Sequence, residues 1–220
     1  MNILLNGDSN MSGEELRNKE DSISSQLCKM LNGTETNLAL SGASNDYIYD
    51  STIEYLKTNT PDLIVIGWTE MARVQWYLET EGEGAFWEIN NLRVGRPVPP
   101  EYQGRYDHWC KWMQKTEYYH NTMSFYWHEK IYNLHSMLRY KKIPHVFFNA
   151  FHSFKIYEPQ WQLAWHNSFI GPYDWPSTYV NWCTDQGYKE ITPSFHHYEP
   201  AGQRAWAERI YNHIIDNKII

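Results

Sequence analysis

The chain has 220 residues, 42% of them hydrophobic, which suits one sizeable core and excludes a disordered chain. Its formal net charge is −7 with no run of Lys or Arg, so it lacks the clustered cations that displace counterions from a nucleic-acid duplex. The 11 Trp and 17 Tyr are an unusually high aromatic content and point to exposed rings, as on sugar- or protein-binding surfaces.

The N-terminus, "MNILLNGDSN", has no basic flank, no long apolar run and no small-residue cleavage site. It therefore reads as the start of the fold rather than as a signal peptide. No apolar stretch reaches membrane-spanning length, so neither a membrane nor a nucleic acid is an expected partner, and the expected location is the cytoplasm. Cys28, Cys110 and Cys183 are scattered without CxxC spacing, which suits reduced thiols and not a disulfide frame or a zinc knuckle.

Four short apolar runs read as buried strands: "NILL" at 2–5, "NLAL" at 37–40, "DLIVIG" at 62–67 and "HVFFNAF" at 145–151. Helical segments alternate with them. "SGEELRNKEDSISSQLCKML" opens with Ser12 as candidate N-cap and Glu14 and Glu15 where the helix dipole favours acids; Leu16, Ile23, Leu27 and Leu31 follow at helical steps. "SNDYIYDSTIEYLKTN" repeats the arrangement, with Ser44 or Asn45 as cap and then Ile48, Ile53 and Leu56. From Glu70 to Pro144 the chain is far longer than a crossover requires. It holds the Pro-rich "RVGRPVPPEYQGRY" and the aromatic helix "KTEYYHNTMSFYWHEKIYNLHSMLRY", in which Tyr119, Met123, Trp127, Ile131, Leu134 and Leu138 keep helical spacing. "PAGQRAWAERIYNHIID" closes the chain, with Ala201, Ala205, Ile210 and Ile214 on one stripe. This alternation predicts an α/β fold with a mostly parallel sheet and crossover helices, one domain over 1–220 with an elaborated crossover at about 70–144.

Ligands of open parallel sheets bind beyond the C-terminal strand ends. Four clusters are expected there: Gly7-Asp8-Ser9-Asn10, "SGASND" from Ser41, "GWTE" from Gly67, and "SFHHYEPAG" from Ser194. Together they supply a hydroxyl, glycine-rich backbone, a threonine and paired imidazoles. That is the inventory for acyl transfer: a nucleophile, a base and donors for an oxyanion.

These blocks, in this order, resemble the SGNH (GDSL-type) hydrolase superfamily of esterases, lipases, thioesterases and carbohydrate deacetylases. The Gly-Asp-Ser block matches Gly7-Asp8-Ser9, the glycine after strand two matches Gly42, and Gly-x-Asn-Asp aligns with "GWTE". The last block, Asp-x-x-His and a following glycine, aligns with Ser194 to His197 and Gly202. The resemblance implies a three-layer α/β/α sandwich with about five strands (flavodoxin-like, the SGNH hydrolase fold). It also implies Ser9 as nucleophile, His197 as base, and an oxyanion hole from the N–H groups of Ser9 and Gly42 plus Thr69. Asp8, Asn10, Trp68, Arg73 and His196 are the candidate substrate contacts. No cofactor and no metal are expected, and the expected partner is a small-molecule or glycan ester. The Gly-Trp-Thr and His-His variants also resemble SGNH-like proteins of tailed bacteriophages, which would add the virion as a location.

Two departures bear on activity. Thr69 stands where the family has the oxyanion asparagine, and losing one such donor costs ~10²–10³ in turnover. Ser194 stands where it has the aspartate that steadies the histidine, a change worth about 10⁴. A backbone carbonyl or a carboxylate such as Asp174, Asp185 or Glu199 is the candidate substitute. Against these roles stand plainer ones: Ser9 as a turn cap, His197 as a surface histidine, Thr69 as a strand-end hydroxyl. His120, His128 and His135 are too widely spaced along their helix for two to share an ion, and the adjacent side chains of His196 and His197 diverge. The sequence thus supports a serine hydrolase acting on an ester, an O-acylated sugar foremost. The alternative is a catalytically degenerate SGNH-like scaffold that binds glycans or serves a structural role.

Overall fold

The computed structural model describes residues 1–77, 86–89, 100–114, 117–156 and 158–220, with backbone alone at 76–77, 86–89, 112–114 and 117–120. Five parallel strands form the sheet in the order β2-β1-β3-β6-β7: β1 (Asn2–Asn6), β2 (Thr34–Asn37), β3 (Leu63–Trp68), β6 (His145–Asn149) and β7 (Phe169–Ile170). Between β3 and β6 lie an antiparallel pair, β4 (Val74–Tyr77) and β5 (Phe86–Ile89), and the helices α4 (Gln103–Gln114) and α5 (Glu117–Tyr140).

Strand alternation sorts the core into two layers. Ile3 and Leu5, Leu63 and Val65, Val146 and Phe148 face one side, packed by Ile23 and Leu27 of α2 (Ile23–Met30), Tyr179 and Cys183 of α6 (Tyr179–Asp185), and Trp206, Ile210 and Ile214 of α7 (Pro200–Asp216). Leu4, Ile64, Ile66, Trp68 and Phe147 face the other, packed by Ile48 of α3 (Asn45–Tyr55) and by Trp127, Ile131, Leu134 and Leu138 of α5. Helices thus cover both faces of the sheet: the parallel α/β fold that the alternation of elements predicts, in the three layers that the family resemblance implies.

The helix predicted from Ser12 to Leu31 is corrected. A four-residue helix, α1 (Ser9–Ser12), ends at Gly13 in the left-handed conformation, φ 67°. The next helix, α2, starts only at Ile23, with the Ser22 hydroxyl accepting from the Ser25 N–H at 3.2 Å. Glu15 falls between them, itself left-handed at φ 63°. The second strand lies at Thr34–Asn37, earlier than "NLAL". On α7 the buried stripe runs through Gly202, Trp206, Ile210 and Ile214, and Ala201 is exposed.

Candidate active site

The C-terminal ends of β1 and β3, with the loop after β2, are fastened together by side chains that bond to main chain. Asn6, the last residue of β1, donates through Nδ2 to Ile48 O at 3.0 Å and to Thr52 Oγ1 at 2.9 Å, and its Oδ1 accepts from the Gly7 N–H at 2.8 Å. The Leu40 N–H donates to Gly7 O at 3.2 Å, which holds the loop after β2 against the loop after β1. That loop turns through Gly42 at φ 79°, closed by Ala43 N–H to Leu40 O at 3.0 Å. Such an angle at the third position of a tight turn is one that glycine adopts without strain. Asn45 Oδ1 accepts from the Thr69 N–H at 2.8 Å, tying the start of α3 to the exit of β3.

Asp8 caps α1, accepting from the Asn10 N–H at 3.0 Å, so that Ser9 is the first residue of that helix. The loop before α7 brings in His197. Glu190 organises it: one carboxylate oxygen accepts from the Ser194 N–H at 2.6 Å, and the other lies 2.9 Å from Nδ1 of His196. The Ile191 N–H donates to His197 O at 2.7 Å.

His197 Nε2 lies 2.8 Å from Ser9 Oγ, and its Nδ1 lies 2.9 Å from Glu15 Oε2. An ionised carboxylate only accepts, so Nδ1 carries the proton toward Glu15. The neutral ring then presents Nε2 as acceptor, and the Ser9 hydroxyl donates to it. Ser9 and His197 are both buried, at 6% and 7% exposure. The acid beside the imidazole is thus Glu15, which the sequence reading assigned to a first helical turn. It is none of Asp174, Asp185 or Glu199.

Thr69, the expected third oxyanion donor, has its hydroxyl donating to Asp8 Oδ2 at 2.6 Å and accepting from Arg73 Nη1 at 2.7 Å. Arg73 Nη1 also reaches Asp8 Oδ2 at 3.2 Å and Ala43 O at 3.2 Å. Asp8, expected as a substrate contact, is 1% exposed and occupied by these internal bonds. Trp68 is fully buried against the edge of Phe147 at 5.6 Å and belongs to the core. Asn10 is buried beside Ser9, and neither of its amide atoms has a hydrogen-bond partner among the described residues. Asn149, at the end of β6, is likewise buried with both amide atoms unpartnered among the described residues.

The chain shares its fold with TesA. The solved structure of TesA superposes with a TM-score of 0.50 and 13% identity over 100% of both chains. At that identity the likeness shows the α/β/α fold and carries nothing about reaction or source. No protein-family model and no curated protein matches the chain.

A cleft of about 490 Å³ has Arg73 and His196 in its lining, two of the expected substrate contacts, the one bonded to Asp8 and the other next to His197 in the chain. Glu70 and His152, from the loops after β3 and β6, meet across it at 2.7 Å. The hydrogen bond that His152 donates to the Glu70 carboxylate raises its pKa above the ordinary value. Glu70 closes the "GWTE" block but was given no role of its own, and His152 was not singled out, since nothing local marks a pair joined only by the order of strands. Histidines of the aromatic helix serve the interior instead. His128 lies 2.8 Å from the Tyr173 hydroxyl, and His135 lies 2.8 Å from His145. The side chain of His120 lies outside the described residues. Among those described, no group of three or more His, Cys, Asp or Glu could hold a metal ion, and no helix is long and apolar enough to cross a membrane.

Proposed function

We propose that residues 1–220 form one serine ester hydrolase unit, in which Ser9 is the nucleophile, His197 the general base and Glu15 the carboxylate that orients it. The observation that carries this reading is the unbroken chain of contacts from Ser9 Oγ through the His197 ring to Glu15 Oε2, at 2.8 and 2.9 Å. A serine hydroxyl is inert until a base takes its proton, and a positioned base contributes about 10²–10⁴ in rate.

In the proposed reaction the Ser9 proton moves to Nε2 as Oγ attacks the ester carbonyl carbon. The carbonyl oxygen becomes an oxyanion that the main-chain N–H groups of Ser9 and Gly42 stabilise. The first-turn N–H of a helix has no intrahelical acceptor, and at Gly42 no described residue other than its chain neighbours comes within 4 Å of where a Cβ would stand. Collapse breaks the bond to the alcohol, which leaves with the proton from His197. Water, deprotonated by the same imidazole, then attacks the acyl-serine and releases the acid and the free Ser9. Throughout, Glu15 stabilises the imidazolium and fixes its tautomer.

The degenerate-scaffold reading has one observation in its favour, the Thr69 hydroxyl held by Asp8. Glu15 weighs more heavily against it, because it fills the role whose loss would cost about 10⁴. Hydrolysis of p-nitrophenyl acetate decides between them. The wild-type chain turns over, while Ser9→Ala and His197→Ala fall to the rate in buffer. Equal rates for wild type and Ser9→Ala would remove the serine from the mechanism.

A further inference from the structure

We infer that Arg73 is a further catalytic residue, the cation that stabilises the oxyanion formed when Ser9 attacks; this rests on the serine hydrolase reading. One nitrogen of its guanidinium meets all three loops from which oxyanion donors are expected. Arg73 Nη1 donates to Thr69 Oγ1 at 2.7 Å, to Asp8 Oδ2 at 3.2 Å and to Ala43 O at 3.2 Å. Asp8 precedes Ser9 and Ala43 follows Gly42, the two residues whose N–H groups serve the oxyanion, and Thr69 holds the position of the family's asparagine. Adjacent Cα atoms are about 3.8 Å apart, so the guanidinium stands within one residue of every expected donor.

A charge that serves a transition state must be fixed before the reaction starts. This one is held from four strand ends. Asp8 follows β1, Ala43 lies in the loop after β2, and Thr69 follows β3. From the loop after β6, the Phe151 ring lies 5.4 Å from the guanidinium carbon. The side chain is 12% exposed, so water and salt screen its charge little. A guanidinium also keeps its proton throughout the working pH range of an esterase.

The ion pair with Asp8 does not exhaust Arg73. Asp8 Oδ1 accepts from the Asn10 N–H, and Oδ2 accepts from the Thr69 hydroxyl as well as from Arg73, so three donors share that carboxylate. The buried Arg73 Nε, by contrast, has no hydrogen-bond partner among the described residues. A clamp that served packing alone would have its donors matched, as buried polar groups are in general. Asp8 also makes a cation necessary. It is 1% exposed beside the nucleophile, where a second negative charge develops on the carbonyl oxygen.

The test measures p-nitrophenyl acetate turnover and inhibition by 1,1,1-trifluoroacetone on the full chain. Ser9 Oγ adds to the ketone carbon, its proton passes to His197, and the hemiketal oxygen occupies the oxyanion position with no leaving group. Arg73→Gln should lower kcat by ~10²–10³ with KM little changed, and weaken trifluoroacetone at least about tenfold. Arg73→Lys restores the charge and should recover part of both losses. The pair Asp8→Asn and Arg73→Gln removes both charges together, and Asn still caps α1. That double variant should remain at least about tenfold slower than Asp8→Asn alone. Urea melts check that each variant is folded, and the double variant carries the test if Arg73→Gln alone does not fold. Three results overturn the inference and leave the hydrolase reading intact: wild-type kcat in Arg73→Gln, unchanged trifluoroacetone inhibition, or a double variant as fast as Asp8→Asn. Absence of Ser9-dependent turnover in the wild type overturns both.

Discussion

Glu15 Oε2 and His197 Nδ1 lie 2.9 Å apart although 182 positions separate them in the chain. Gly13 makes this contact available. In the left-handed conformation it ends α1 after four residues and sends the chain, through Glu15 at φ 63°, back across the imidazole. A carboxylate delivered from the segment after the nucleophile thus stands where Ser194 offers none.

Replacing Glu15 by Gln tests that role. The amide keeps the size of the side chain and removes its charge, so the imidazolium formed during attack loses its partner. We expect kcat to fall by ~10²–10⁴ with KM little changed, and Glu15→Asp to recover part of the loss. An unaltered kcat would reduce Glu15 to a structural contact.

Much of the framework could be read from residue order. The last helix begins at Pro200 and ends at Asp216, the span its pattern predicts, and apolar runs locate β1, β3 and β6 to within a residue or two. Where the pattern misled, the cause is local. Ser12, Glu14 and Glu15 imitate the start of a helix, yet Ser22 caps the real one and Gly13 has already closed its predecessor. Strand β2 is polar and sits at the sheet edge, where main-chain pairing on one side suffices without an apolar run. Ser9, Gly42 and His197 were visible as short motifs at strand and helix ends. Glu15, Glu70 and His152 become neighbours of the site only through tertiary folding.

Thr69→Val separates two roles for one hydroxyl. Asp8 would keep Arg73 and lose a hydrogen bond to a charged group, a destabilisation of about 1.5–3 kcal/mol seen in chemical denaturation. Ester turnover should fall by less than about tenfold, short of the ~10²–10³ that follows removal of an oxyanion donor. A loss of that larger size would return Thr69 to the oxyanion hole.

Acid should weaken the fold over a defined window. Burial is the chief cause that holds His128, His135 and His145 at about 4 against an ordinary 6.5, and His145 and Arg139 add to it at His135. The unfolded chain therefore binds more protons than the folded one between these values. Stability is fully present above pH 6.5 and is lost as pH falls toward 4, by up to about 1.4 kcal/mol per pH unit for each group. Urea denaturation from pH 7.5 to 4.5 checks this, and a flat curve would contradict it.

Gly67→Ala probes the packing beneath Ser9. A Cβ there would stand 2.7 Å from Phe148 Cζ and 3.1 Å from Met11 Cγ, and Met11 lies on the same short helix as Ser9. We expect a loss of about 1–3 kcal/mol and a matching drop in kcat as α1 shifts. Full activity in a destabilised variant would show that the helix position is not coupled to this packing.

The most direct measurement is covalent labelling by a fluorophosphonate, located by peptide mass analysis. The account predicts one adduct per chain, on Ser9, formed at least about 10²-fold more slowly in His197→Ala. No adduct on the folded wild-type chain, or an adduct on Ser9 whose rate is indifferent to His197, would contradict it.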